Sequence, residues 1–262
     1  MGSGKTSLQN AVAYMLVTKS MALIMDVAEL FLPHHQVVKP MFERVAYAHG
    51  IRSIDKAELI RQALRSGVDI IVLNEARSRD EFKALAEAIT LGHGALTTFH
   101  AEDYEAAKVR LATLGLEAEE LLGLSVVVEV GMTRDVRYNR ETGVYEVLIR
   151  RFVRRIHNTD HYLARIARDY GTDYVSRQLE LRGAFLSKVA NAGLNHDQLA
   201  NLLYVFYREP GIVLKGLGES SKAGAGAIGN QPLPENLLKI DSELVESFKR
   251  EDKNSGDIGD GA

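Results

Sequence analysis

Asp69-Ile70-Ile71-Val72-Leu73-Asn74-Glu75-Ala76-Arg77 opens the stretch that decides the fold, and Gly92-His93-Gly94-Ala95-Leu96-Thr97-Thr98-Phe99-His100-Ala101 closes it. Ile70 to Leu73 is a run of four apolar residues, three of them β-branched, which reads as a strand buried on both faces. Glu75 stands just past its end. Phe82, Leu85, Ala86 and Ile89 then recur at helical spacing, with Asp80 and Glu81 in the first turn. Gly92-His93-Gly94 stops that helix. Ala95 to Phe99 reads as a second strand that ends at His100. Strand, crossover helix and strand form a βαβ unit, so the two strands are expected to be parallel neighbours. Ligands of open α/β sheets sit beyond the carboxyl ends of the strands. Glu75 and His100 both fall at that rim, so two adjacent strands deliver polar groups to one place.

Outward toward the N-terminus, the chain begins Met1-Gly2-Ser3-Gly4-Lys5-Thr6-Ser7, and Leu8 to Leu16 is a plausible helix. Gly4-Lys5-Thr6 has the form of the end of a phosphate-binding loop. Glycine-rich backbone turns its N–H groups toward a phosphate at a helix N-terminus. In that pattern Lys5 reaches the β- and γ-phosphates and the Thr6 hydroxyl ligates Mg²⁺. The full pattern also needs a preceding strand and a further glycine five residues before Gly4. Met21 to Val27 reads as another strand, ending in acids at Asp26 and Glu29. Leu30 to Lys39 reads as a loop. Its adjacent His34 and His35 make a poor metal pair, since neighbours seldom converge on one ion. Ile54 to Arg65 is an amphipathic helix with Ser53 as its candidate N-cap.

Beyond the central stretch, Asp103 to Leu114 reads as a helix stopped by Gly115. Leu121 to Val130 and Val144 to Ile149 read as strands of a β-hairpin with a long connection and a turn at Asn139 to Gly143. Arg150, Arg151, Arg154 and Arg155 read as a solvated strand edge. Residues 160–208 are helical in character, with Leu179 to Ala192 and Asp197 to Tyr207 as two short helices. From about Gly216 the chain is rich in Gly, Ser and Pro and is expected to be disordered, with one weak helix at Leu237 to Arg250. The 262 residues are 46% hydrophobic, enough for one sizeable domain and an appendage. A net charge of −3 argues against nucleic acid as the main partner. There is no Cys, hence no disulfide framework. No apolar run approaches the roughly 18–20 residues of a membrane span, and the cytosol is the expected compartment.

The order of these motifs resembles the secretion and pilus ATPase superfamily, whose members drive type II secretion, type IV pili and the archaellum. The resemblance covers about residues 2–155, with a weaker extension to about residue 210 that looks most like the archaeal branch. Gly92-His93-Gly94-Ala95-Leu96-Thr97-Thr98-Phe99-His100 is its most specific part. It implies a RecA-like P-loop core of mostly parallel sheet over residues 1–155, lacking its first strand. A helical module over 156–215 and a flexible tail over 216–262 would follow. Lys5 and Thr6 match the loop's Lys and Thr, with Gly2, Ser3, Gly4 and Ser7 completing the cradle. Met25-Asp26-Val27-Ala28-Glu29-Leu30 matches the acidic box, with Glu29 on the carboxylate that polarises water, Asp26 on the middle acid and Met25 in place of the first. Asn74-Glu75-Ala76-Arg77 matches the usual G-E-x-R, with Glu75 beside Mg²⁺ through a water and Asn74 in place of Gly. His93 and His100 match the histidine box that relays nucleotide state. Arg44, Arg52 and Arg65 lie in the region that supplies arginines to a neighbouring subunit.

What the resemblance implies is ATP hydrolysis with Mg²⁺ in a homohexameric ring. Such a ring would act at the inner face of the membrane on a platform protein of a pilus or secretion machine. The chain is expected to be a fragment of a longer protein, with a degenerate paralogue as the alternative. Two rivals remain: a catalytically silent ring subunit, and a nucleic-acid translocase on the same core.

Overall fold

A computed structural model describes residues 2–35, 37–45, 52–117, 126–190, 192–211 and 213–214. The expected tail over 216–262, its helix at Leu237 to Arg250 and the first residues of the strand expected at Leu121 to Val130 lie outside these. In contact terms the chain divides into two compact units, 1–166 and 167–262.

The first unit is built on a four-stranded sheet. Helix α1 (Lys5–Tyr14) leads to β1 (Met21–Met25) and β2 (Val38–Phe42). Helix α2 (Lys56–Leu64), β3 (Ile70–Leu73), α3 (Arg79–Thr90), β4 (Gly94–Thr97) and α4 (Tyr104–Thr113) follow. The strand order is β2-β1-β3-β4. All three pairings are parallel, with Leu23 beside Val72 and Val72 beside Leu96. The α/β class with a parallel sheet is therefore as the sequence predicts.

β1 and β3 are continuous apolar runs because both of their faces are covered. Ala22, Ile24, Ile71 and Leu73 pack with α2, α3 and Leu111 of α4. Leu23 and Val72, of the opposite parity, are buried outside that cluster. Helix α1 contributes no residue to this cluster. Phe82 and Phe99 meet edge to face at 5.6 Å, which fixes α3 against the exit of β4. Ser78 and Glu81 form a reciprocal capping box at the start of α3.

Three expectations change. Residues 38 and 39 belong to a strand, β2, rather than to a loop. Its Pro40 has no N–H to donate, and an edge strand is where a sheet tolerates that. Helix α2 is capped by Asp55, whose carboxylate accepts from the Glu58 N–H at 2.7 Å, and not by Ser53. Ile54 instead pairs its backbone with Arg44. The hairpin has a short connection: β5 (Val127–Asn139) and β6 (Val144–His157) pair over their whole length around residues 140–143.

Helix α5 (Thr159–Tyr170) spans the division between the units. The second unit holds α6 (Thr172–Val189) and α7 (His196–Arg208). The helix expected from Leu179 thus begins at Thr172. Phe185 and Phe206 stack at 4.4 Å between these two helices, and an Asn195–Gln198 capping box starts α7. Among the described residues no helix is long and apolar enough to cross a membrane.

Candidate active site

Gly2 and Gly4 take φ values of 82° and 90°, a left-handed conformation that costs glycine little. The turn Gly2-Ser3-Gly4 so formed delivers Lys5, Thr6 and Ser7 as the first turn of α1. That turn has no acidic residue and no side-chain cap, so its N–H groups remain available to an anion. From the hairpin, the Arg151 guanidinium donates to the Gly2 carbonyl at 2.9 Å and holds the turn.

A chain of polar contacts runs from this turn along the carboxyl ends of the strands. Lys5 Nζ lies 3.3 Å from His100 Nδ1. Since Lys5 can only donate, Nδ1 accepts, and the imidazole proton sits on Nε2. That nitrogen lies 3.5 Å from the Glu75 carboxylate. Arg77 pairs with Glu75 at 2.8 Å and with Asp26 at 3.1 Å. Asn74 donates its amide to Asp26 at 2.6 Å. The Thr6 hydroxyl lies 3.5 Å from Glu29. Lys5, Thr6, Asp26, Glu29, Glu75 and His100 are therefore brought to one rim by α1, β1, β3 and β4.

Three of the residues singled out in the sequence lie away from this rim: His93, and Arg44 and Arg52, which the resemblance assigns to a neighbouring subunit. His93 precedes β4 and bonds through Nδ1 to the Val68 carbonyl at 2.7 Å, at the amino end of the strands. The four residues of β4 separate it from His100. Arg44 donates to the Arg52 carbonyl at 2.9 Å, and Arg52 pairs with Glu58 at 3.0 Å while remaining 79% exposed. Arg44 is thus held to the backbone of Arg52, and Arg52 to helix α2.

Residues 1–175 match the sequence profile of the family described as Type II/IV secretion system protein. The chain belongs to this type II/IV secretion family. It is 30% identical over 172 residues to the conjugal transfer protein TrbB of Rhizobium radiobacter, covering 62% of this chain and 50% of that one. It is 33% identical over 120 residues to the type IV secretion system protein VirB11 of Bartonella quintana, covering 45% and 33%. The chain thus spans half or less of the length of these curated relatives. Among solved structures it is similar to the VirB11 ATPase of the Brucella suis type IV secretion system, at 26% identity and a TM-score of 0.45, covering 62% and 47%.

The electrostatics of this secretion-family rim follow from its contacts. The Arg77 hydrogen bond holds the Glu75 carboxyl below its ordinary value against the effect of burial, supported by the charges of Arg77, His100 and Lys56. Burial alone would raise Asp26, but hydrogen bonds from Asn74 and the backbone, with the charges of Lys56 and Arg77, hold it down. Both acids are therefore ionised at neutral pH. Burial lowers the His100 imidazole and the Lys5 ammonium lowers it further, while Glu75 opposes them. The imidazole is thereby biased toward its neutral form. Its NMR titration midpoint is expected below 6.5, rising in Lys5→Met and falling in Glu75→Gln. A midpoint unmoved by Lys5→Met would contradict the Lys5–His100 contact.

Sequence reading missed several supports of the site. Lys56 is 2% exposed, donates to the Glu75 carbonyl at 2.9 Å and lies 3.7 Å from the Glu81 carboxylate. A lysine opening an amphipathic helix gives no sign of burial. Removing one member of a buried ion pair costs about 3–5 kcal/mol. Lys56→Met is expected to lower stability by about that amount in urea unfolding, and Glu81→Gln added to it should restore part of the loss. Gln9 is 2% exposed and donates to the Leu73 and Leu96 carbonyls at 2.7 and 3.2 Å, tying α1 to β3 and β4. Asn74, a departure from the usual glycine, orients Asp26. His35 is buried on the Ala13 carbonyl at 3.0 Å, a structural role. Among the described residues no cluster of three metal-ligating side chains occurs.

The donors at the rim are hard oxygens: one hydroxyl and the carboxylates Asp26, Glu29 and Glu75. That set, beside a lysine and free helix N–H groups, fits a magnesium–nucleotide pair and does not suit a softer metal.

Proposed function

We propose that this chain is the ATP-hydrolysing core of a type IV secretion, conjugation or pilus machine. The observation that carries the reading is the meeting of Lys5 and the uncapped N-terminus of α1 with three strand-end carboxylates on one rim. Phosphoryl transfer asks a protein chiefly for positioning and charge neutralisation. When bound, ATP would supply the phosphoanhydride and Mg²⁺ would offset its charge.

The chain's own groups divide the remaining work. Backbone N–H groups of Gly4 to Ser7 cradle phosphate oxygens. Lys5 gives its ammonium to the β- and γ-phosphates and in doing so leaves His100. The Thr6 hydroxyl would hold the metal, and Glu75 would accept from a water on it. Glu29 orients the attacking water and takes its proton. Asp26 keeps its charge beside them, held by Asn74. His100 lies between Lys5 and Glu75, so displacement of Lys5 changes its surroundings. This is a route by which nucleotide state reaches β4.

Arg44 and Arg52 make no contact with the rim among the described residues, and Arg52 is largely exposed, which suits a role across a subunit boundary rather than within one chain. A homohexameric ring, cytoplasmic and peripheral at the inner face of the membrane, would complete each site and act on a membrane platform protein. Phosphate release from Mg·ATP by the purified chain tests the reading. Release that stops when Mg²⁺ is chelated supports it. ATP binding without release would favour a silent ring subunit, and absence of binding would contradict the nucleotide site.

A further inference from the structure

β1 and β3 run parallel with Ile24 beside Leu73, so two residues further on Asp26 and Glu75 leave adjacent strands together. Two carboxylates side by side repel, and the Arg77 guanidinium lies between them. One of its nitrogens is 3.1 Å from Asp26 Oδ2 and another 2.8 Å from Glu75 Oε2. Asp26 is itself fixed. Its other oxygen accepts from the Asn74 amide at 2.6 Å and from the Val27 N–H at 3.1 Å. Asn74 is 4% exposed, and its backbone is tied on both sides. Its N–H donates to the Ile24 carbonyl at 3.0 Å, and its carbonyl accepts from the Thr98 hydroxyl at 2.8 Å. A carboxylate only accepts, so the amide must turn its nitrogen to Asp26 and its oxygen away. Among the described residues that buried oxygen has no hydrogen-bond partner. A buried acceptor without a partner is a cost to stability. What the side chain provides in return is its bond onto Asp26.

We propose that Asn74 is a positioning residue that sets an autoinhibited rim: it anchors Asp26, Asp26 holds Arg77, and Arg77 covers the Glu75 carboxylate against a divalent cation. The inference rests on the nucleotide reading of the rim. A carboxylate bonded to a guanidinium is already charge-compensated, and a cation that approaches it meets a like charge. The other Glu75 oxygen faces His100 at 3.5 Å, so Arg77 guards the more open approach. The way to release it is built in. Glu81 accepts from the Arg77 N–H, which keeps that backbone at the capping box of α3, while the Arg77 side chain is 54% exposed and can swing to water. Without the Asn74 amide Asp26 is free to turn, the bridge loses one of its two ends, and Arg77 leaves Glu75 more often. Asn74 stands where the related pattern has glycine, and glycine cannot make this bond. Affinity for magnesium with nucleotide is thus set in part by a side chain that touches neither.

The test uses the full chain with a fluorescent non-hydrolysable ATP analogue, titrated with Mg²⁺. Asn74→Ala should reach half-maximal binding at about one-fifth of the wild-type Mg²⁺ concentration, a size of coupling usual within one ion-pair network. Affinity in EDTA should stay unchanged, and the melting temperature should not fall. Arg77→Gln should shift the midpoint in the same direction, and adding Asn74→Ala to it should shift it no further, because the two act in series. Phenylglyoxal labelling followed by mass spectrometry reads the contact without nucleotide. Arg77 should react about threefold faster in Asn74→Ala, with the exposed Arg52 unchanged. An unshifted Mg²⁺ midpoint, a loss of analogue affinity together with melting temperature, an additive double variant, or unchanged labelling of Arg77 would overturn the proposal. Absence of analogue binding in wild type and variants alike would instead remove the nucleotide reading, and the proposal with it.

Discussion

Replacing Lys5 with Ala is expected to reduce ATP turnover by about 10²–10³-fold, the loss seen when one preorganised charge-stabilising group is removed from an active site. That is about 2.7–4 kcal/mol of transition-state stabilisation, at 1.36 kcal/mol per tenfold. Lys5 stands first in α1, its ammonium at the head of the polar chain through His100 to Glu75. It is absent from the buried core, so the variant should fold with its circular dichroism unchanged. Affinity for a fluorescent ATP analogue should fall together with turnover, because the ammonium meets the phosphates in the ground state as well. Wild-type turnover in Lys5→Ala would remove the phosphate-loop reading of residues 2–7.

Glu29→Gln is expected to separate the two effects. The amide keeps the shape of the carboxylate and loses its charge and its proton affinity. Single-turnover phosphate release should fall by about 10²–10⁴-fold, the range for a general base. ATP affinity should stay within about twofold, since the role proposed for Glu29 is to orient water rather than nucleotide. The structure places Glu29 3.5 Å from the hydroxyl of Thr6, which follows Lys5 in the first turn of α1. Retained turnover would sink its assigned role and move the search to Glu75.

The core of the fold was legible because its signals were local and redundant. Ile70 to Leu73 and Ala95 to Phe99 gave the strands, the spacing of Phe82, Leu85 and Ile89 gave the crossover, and their order gave a parallel pair. The P-loop turn was legible from Gly4, Lys5 and Thr6 because glycine there serves a backbone need. β2 was missed in part because Val38-Lys39-Pro40-Met41-Phe42 carries a charge and a proline, and only its edge position makes that acceptable. The hairpin's reach was missed because β5 and β6 are largely exposed, so no apolar alternation marks their length. Lys56 and Gln9 were missed for a different reason. A polar residue buried against backbone carbonyls leaves no pattern in the sequence, and only tertiary contact identifies it. His93 shows the converse: it matches a motif with His100, yet four strand residues carry it to the other end of the sheet.

Arg77 gives the rim its resting arrangement, bridging Glu75 and Asp26. In the proposed reading, a divalent cation bound with nucleotide would draw Glu75 from part of that partnership. The most direct measurement is therefore a crystal structure of the chain with magnesium and a non-hydrolysable ATP analogue. The account predicts the triphosphate on the N–H groups of Gly4 to Ser7, the metal on the Thr6 hydroxyl, and Lys5 moved from His100 to the phosphates. An analogue bound away from this turn, with Lys5 still on His100, would contradict it.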